Sequence, residues 1–219
     1  MNVKLNWVTP NAEKAIVEIA RVSSSRTDKS AKPEGLINYL IKHKHWSPFE
    51  HGYMSVEIET SKAIGIQLIR HRSFTFQEFS QRYQDVKRIG DMFEPIELRK
   101  QAEDNRQSST ELIDGMIAYD LSDEMFEVLM DVQELYNKML ANGVARECAR
   151  MILPMCTKTK IHMSGSIRSW LSFLNVRLDE HAQLEIQSLS RQIAKLMKEQ
   201  FPIVASALND FNNYNGMFM

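Results

Sequence analysis

An α+β fold is predicted by three features of the sequence. Segments with helical hydrophobic spacing outnumber a few with strand alternation. The two kinds do not alternate as regular βαβ units. Neither a G-x-G-x-x-G turn nor a P-loop occurs, so a dinucleotide would have to be held without a Rossmann glycine turn. At 219 residues, 43% hydrophobic and 25% charged, the chain can build a sizeable core without disulfides, and one domain over 1–219 is expected.

The elements follow in order. Met1 to Val8 reads as a first strand. Thr9-Pro10 looks like an N-cap followed by Pro at the first helical position, and Ala12, Ala15, Ile16, Ile19 and Ala20 continue at helical spacing. Ser23 to Lys32 is polar and reads as a loop. Pro33 opens a second helix with Leu36, Ile37, Leu40 and Ile41 on one face, interrupted by His45 to His51. Met54, Val56 and Ile58 then alternate with polar neighbours as a half-buried strand. Ser61 can cap a helix running toward Arg70. Arg88 to Tyr119 is the least patterned stretch. From Ser122 to Leu140, Met125, Val128, Leu129, Val132, Leu135, Tyr136 and Met139 form one helical stripe that Asn142-Gly143 ends. Val144 to Leu153 reads as a helix stopped by Pro154. Thr157 to Met163 alternates as a strand with Lys158, Lys160 and His162 on one side. Ser166 to Val176, the segment around Ile186 to Met197, and a segment opened by Pro202 are the last helices.

Composition excludes several function classes. Lys+Arg 27 against Asp+Glu 28 gives a net charge of -1, which counts against a general nucleic-acid binder. No apolar run is long enough to span a bilayer, and the N-terminus carries no signal-type apolar region, so no membrane partner and a cytoplasmic location are expected. Cys148 and Cys156 make neither a disulfide framework nor a CxxC motif. His43, His45 and His51 lie close in sequence, but without a cysteine partner they are expected to hydrogen-bond locally rather than hold a metal.

The densest chemistry lies between Arg70 and Tyr83. Three arginines, His71, Glu78, two glutamines and Ser80 are interleaved with Phe74, Phe76 and Phe79. Arginine forks suit phosphates and flat heterocycles, and aromatic rings stack or pack inward. Glu78 could hold the arginines apart or accept from a ribose hydroxyl or base N–H. The residues also allow blander readings: a helix end whose cations compensate the macrodipole, followed by an edge strand, or a basic-aromatic strip for single-stranded nucleic acid.

The segment resembles the signature Arg-His-Arg-x-x-Ser-x-Asn-Glu-x-Ser-x-Arg of the flavin-dependent thymidylate synthases. The matches are Arg70, His71, Arg72, Glu78, Ser80, Arg82 and the following Tyr83; Thr75 stands for Ser and Gln77 for Asn. Ala20 to Ser23, His45 to His51, Arg146 to Pro154, Arg168, Asn175 to Arg177 and His181 to Gln187 resemble the family's other segments. Ser166 and Ser172 stand where many members have asparagines.

The resemblance implies a compact mixed helix and sheet subunit, assembled as a homotetramer with active sites shared between subunits. It implies FAD bound by Ser47, Arg70, His71, Arg72, Glu78, Ser166, Arg168 and Ser172. It implies dUMP bound by Gln67, Arg70, Glu78, Ser80, Gln81, Arg82, Arg150 and Arg177, with NADPH and methylenetetrahydrofolate as co-substrates and His45 near folate or flavin. Arg177 would favour the anionic uracil ring, because a guanidinium beside N3 and O2 stabilises the charge that makes C5 nucleophilic. No enzyme nucleophile is then needed, and Cys148 is expected to be a packed helix residue.

Overall fold

The computed structural model describes residues 1–23 and 32–209, so the expected loop at Ser23 to Lys32 lies almost wholly outside the described residues. It is mixed helix and sheet, as expected. The strands are β1 (Asn2–Val8), β2 (Tyr53–Ser61), β3 (Thr75–Glu78), β4 (Arg99–Gln101), β5 (Ser109–Leu112) and β6 (Lys158–Ser166). The helices are α1 (Ala12–Ala20), α2 (Pro33–Lys42), α3 (Lys62–Ile69), α4 (Gly115–Ala141), α5 (Arg146–Ala149), α6 (Ile167–Arg177), α7 (Leu184–Gln200) and α8 (Pro202–Asn209). One sheet runs β1-β2-β6-β3, and β4 and β5 pair antiparallel in a second. The chain forms two compact units. One holds Glu59–Arg70 and Gln77–Ile161; the other holds Asn2–Ile58, His71–Phe76 and the chain from His162 onward.

In the second unit the core is Ile16, Ile37, Phe49, Met54, Val56, Trp170, Phe173, Ile186, Leu189 and Ile193, all buried. Alternation accounts for most of β2: Met54, Val56 and Ile58 are buried while Tyr53 and Glu57 are not, although Ser55 between them is buried too. The same rule places His162 and Ser164 of β6 opposite Met163 and Gly165. There Asn6 donates to Ser55 at 3.2 Å, Ser164 donates to Ser55 at 2.8 Å, and His162 Nε2 lies 3.5 Å from Glu57.

The expected cap of α1 is displaced. Thr9 Oγ1 instead accepts the Tyr53 N–H at 3.0 Å, tying β1 to β2, and α1 starts after Asn11, whose φ of 52° is left-handed. Asparagine tolerates that region better than most side chains.

In the first unit Val86, Met92, Tyr136 and Ala149 form the buried centre, with Phe93, Met139, Leu140 and Ile152 packed against it. Ser61 caps α3 by accepting the Ile64 N–H at 3.4 Å, as its sequence position predicts. Two helices differ from expectation. α4 begins at Gly115, a turn or two earlier than Ser122, because the segment after Asp114 continues without a breaker. The helix expected over Val144 to Leu153 is only α5, followed by a 3-10 turn at Arg150–Ile152, since the approach to Pro154 disfavours α geometry. Arg146 and Arg150 are therefore not on one continuous α-helical face.

Candidate active site

In the second unit the junction of β6 and α6 collects polar side chains. Ser166 ends the strand and caps the helix, accepting the Ser169 N–H at 3.2 Å. Its hydroxyl donates to Glu50 Oε2 at 2.6 Å, while Arg168 Nη1 donates to Glu50 Oε1 at 3.0 Å. One carboxylate thus holds both residues through separate oxygens. Arg168, Ser172 and Asn175 share the exposed face of α6, and Ile167, Trp170, Leu171 and Leu174 are buried on the other, as their spacing predicts. Trp170 Nε1 donates to the Met54 carbonyl at 3.0 Å, which anchors the helix. Ser47 opens the 3-10 turn Ser47–His51 and is exposed, as is Arg72.

At the last residue of α6, Arg177 Nε donates to His71 Nε2 at 2.9 Å. The His71 ring stands edge-on to Phe173 at 4.9 Å and to Phe74 at 6.4 Å. Burial, and then the Arg177 guanidinium, push the imidazole below its ordinary pKa and favour the neutral ring. Gly165 makes room for Phe74: a Cβ there would fall 2.4 Å from the ring.

In the first unit α3 carries Gln67, half-buried, and ends at Arg70, exposed. Glu78 closes β3. Its Oε1 accepts from Lys62 Nζ at 2.7 Å and Thr159 Oγ1 at 2.8 Å, so a lysine and a threonine hold it rather than the arginines. The Ser80 carbonyl then accepts the N–H groups of Tyr83 and Gln84, forming a turn. Such a turn leaves the N–H groups at its start without an internal acceptor. Arg82 pairs at 3.4 Å with Glu147, both exposed. Gln81 is 6% exposed and its buried Nε2 has no protein partner; the buried Nε of Arg150 is in the same condition. Buried donors are nearly always satisfied, so each is a candidate partner for an acceptor outside the chain; Thr60, Tyr136 and Asn137 of the same unit also carry a buried polar atom without a partner.

The structure brings together Ser166 with Arg168, and His71 with Arg177; each remaining predicted residue is placed on its own element as described. Three holding residues escaped sequence reasoning: Glu50, Lys62 and Thr159. Glu50 was visible inside the Ser47–His51 stretch. Lys62 and Thr159 carried no local signal, because their role depends on β3 reaching β6. Among the described residues no group of three His, Cys, Asp or Glu is placed to hold a metal; His43 and His45 instead pack against Tyr39, with ring centroids at 4.3 Å and 5.9 Å. Cys148 of α5 is exposed rather than packed as expected, and burial pushes the Cys156 thiol up in pKa.

These features define a class of α+β protein that presents arginine, serine and amide donors from loops and helix ends rather than from a glycine turn. The family described as "Thymidylate synthase complementing protein" matches residues 4–203. A probable flavin-dependent thymidylate synthase of Paramecium bursaria Chlorella virus 1 is 40% identical over 199 residues, covering 90% of this chain and 91% of that one. A flavin-dependent thymidylate synthase of Synechocystis sp. is 39% identical over 196 residues, covering 90% and 89%; that of Thermus thermophilus is 34% identical over 203 residues, covering 90% and 72%. The chain belongs to the flavin-dependent thymidylate synthase family.

Proposed function

We propose that the protein converts dUMP to dTMP by reductive methylation, taking the carbon from methylenetetrahydrofolate. When bound, FAD would supply the hydride, with NADPH as the source of its electrons. The observation that carries this reading is the pair of unsatisfied donors, Gln81 Nε2 and Arg150 Nε, on segments that match the family's nucleotide-binding residues.

Gln67, Arg70, Glu78, Ser80, Gln81, Arg82 and Arg150 bind the nucleotide: guanidinium and turn N–H donors take its phosphate, and Glu78 offers an acceptor. The donor set also fits a flavin dinucleotide. Arg72, Arg168 and Ser47 expose charged and hydroxyl donors suited to a pyrophosphate, joined by Arg70, His71 and Ser172, while Glu78 offers the flavin an acceptor. Ser166, capped inward onto Glu50, contributes by holding the start of α6. Arg177 stabilises the uracil anion, which makes C5 nucleophilic without an enzyme adduct. The single-domain enzyme works as a homotetramer with shared sites, in the cytoplasm, or in a host's if the chain is viral. No helix among the described residues is long and apolar enough to cross a membrane.

The purified protein is expected to be yellow, to bleach on addition of NADPH, and to release tritium from C5-labelled dUMP when folate is present. Colourless protein that FAD cannot reconstitute, yet that retards oligonucleotides at physiological salt, would sink the reading. Cys148→Ala should retain dTMP formation; loss of activity with FAD still bound would instead indicate a thiolate mechanism.

A further inference from the structure

The bond between Arg177 and His71 constrains the protonation of both partners. A guanidinium has only N–H donors and stays charged. Its Nε therefore donates at 2.9 Å to His71 Nε2, and that nitrogen must carry a lone pair. His71 is then neutral, with its single proton on Nδ1. The surroundings enforce this state. Phe173 and Phe74 face the ring edge-on and offer no charge. The charged group that acts on it is the Arg177 guanidinium from α6, and its sequence neighbours Arg70 and Arg72 are cations as well. A protonated ring would lose the acceptor and stand beside a like charge.

We propose that His71 is a positioning residue for Arg177: its neutral Nε2 fixes the guanidinium through Nε, and protonation of the ring releases it. This rests on the reading of Arg177 as the group that stabilises the uracil anion. With Nε bonded to His71, the imidazole constrains the guanidinium plane before a nucleotide binds. Pre-orientation of this kind lowers the reorganisation needed when charge develops on the ring. The bond also joins a residue of the arginine-rich segment to the end of α6. One side of the imidazole thus holds Arg177, and the Nδ1–H side is the donor edge. The lowered pKa of His71 keeps the acceptor form through neutral pH and loses it on the acid side.

The test compares His71→Gln, His71→Phe, Arg177→Ala and the wild-type holoenzyme at saturating FAD, reading tritium release from C5-labelled dUMP as kcat/KM against pH. Glutamine places a non-titrating acceptor near the imidazole Nε2 position; phenylalanine fills the volume without one. The glutamine variant should exceed the phenylalanine variant by about tenfold or more at pH 8 and show a flattened acid limb, while the phenylalanine variant stays low at every pH. The dUMP phosphate titrates in all the variants and drops out of the comparison. Equal loss in both variants, with the acid limb unmoved, overturns the positioning role. Full activity in Arg177→Ala overturns the underlying role of Arg177 instead. A direct check needs no variant to be active. In 15N-histidine-labelled wild type, the resonance assigned by its absence in His71→Gln should report a neutral ring protonated at Nδ1. A ring protonated at Nε2 overturns the proposal.

Discussion

A methyl group at position 165 would meet the Phe74 ring at 2.4 Å, so Gly165→Ala forces the ring or the strand to move. Phe74 is also edge-on to Trp170 at 4.6 Å and lies next to His71, so the displacement reaches the Arg177 contact. The variant should lose about 2 kcal/mol of stability by chemical denaturation, as overpacked core sites do. An unchanged midpoint would mean that the ring relaxes freely. Glu13 supplies a second test at this scale. Its carboxylate accepts the Val204 N–H at 2.7 Å, satisfying a donor in the first turn of α8. Burial raises its pKa above 4.5 more than the Val204 and Ile203 N–H groups lower it, and Glu34 adds repulsion. The sign follows from linkage. Below pH 4.5 both folded and unfolded forms hold the proton; as pH rises toward the folded value, the unfolded chain releases it first, and stability falls. Glu13→Gln keeps an acceptor and removes the charge, so melting should rise by about 2 °C at pH 7 and the gain should vanish at pH 4. Sequence reading found the arginines and Glu78 but not what holds them. Charge and family signature are local properties, whereas the Lys62 and Thr159 contacts to Glu78 depend on how β3, α3 and β6 meet.

Among the elements, α4 separates what periodicity can reveal from what it cannot. The stripe from Met125 to Met139 is real, and one edge of it is buried at Tyr136. The other edge is not: Val128 is 56% and Leu135 50% exposed, and Ile117 and Leu121 continue that edge toward the N-terminal end. Spacing identifies an apolar face but does not say which molecule covers it. The same limit explains α5. Apolar spacing suggested a ten-residue helix there, while backbone geometry before Pro154 confined the α-helix to Arg146–Ala149. The short punctuation signals fared better, since Ser61, Pro33 and Asn142 mark the boundaries that the structure has. If α4 serves the proposed tetramer, Val128→Lys with Leu135→Lys should leave the monomer fold intact, because neither side chain is buried. The double variant should elute as a smaller species in size-exclusion chromatography with light scattering, while its far-UV circular dichroism stays unchanged. A tetramer of undiminished size would assign the stripe no part in assembly.

At the scale of the whole molecule, the proposal that active sites are shared between subunits has a consequence that single variants cannot reach. Arg82→Ala removes a proposed nucleotide donor from the first compact unit of the chain, and Arg168→Ala a proposed flavin donor from the second. Each variant alone should be nearly inactive. Co-expression in equal amounts should assemble mixed tetramers in which some sites draw an intact Arg82 from one subunit and an intact Arg168 from another. Each draw succeeds half the time, so about one quarter of wild-type activity should return. If each site were built from a single chain, every subunit would carry one lesion and none would return. The readout is tritium release by the co-expressed pair, compared with the same variants purified separately and combined after assembly. Recovery confined to the co-expressed sample attributes the activity to mixed tetramers rather than to residual function. Absence of recovery in tetramers that mass spectrometry identifies as mixed would remove sharing between these two segments from the proposal, while leaving the residue assignments within each unit untouched.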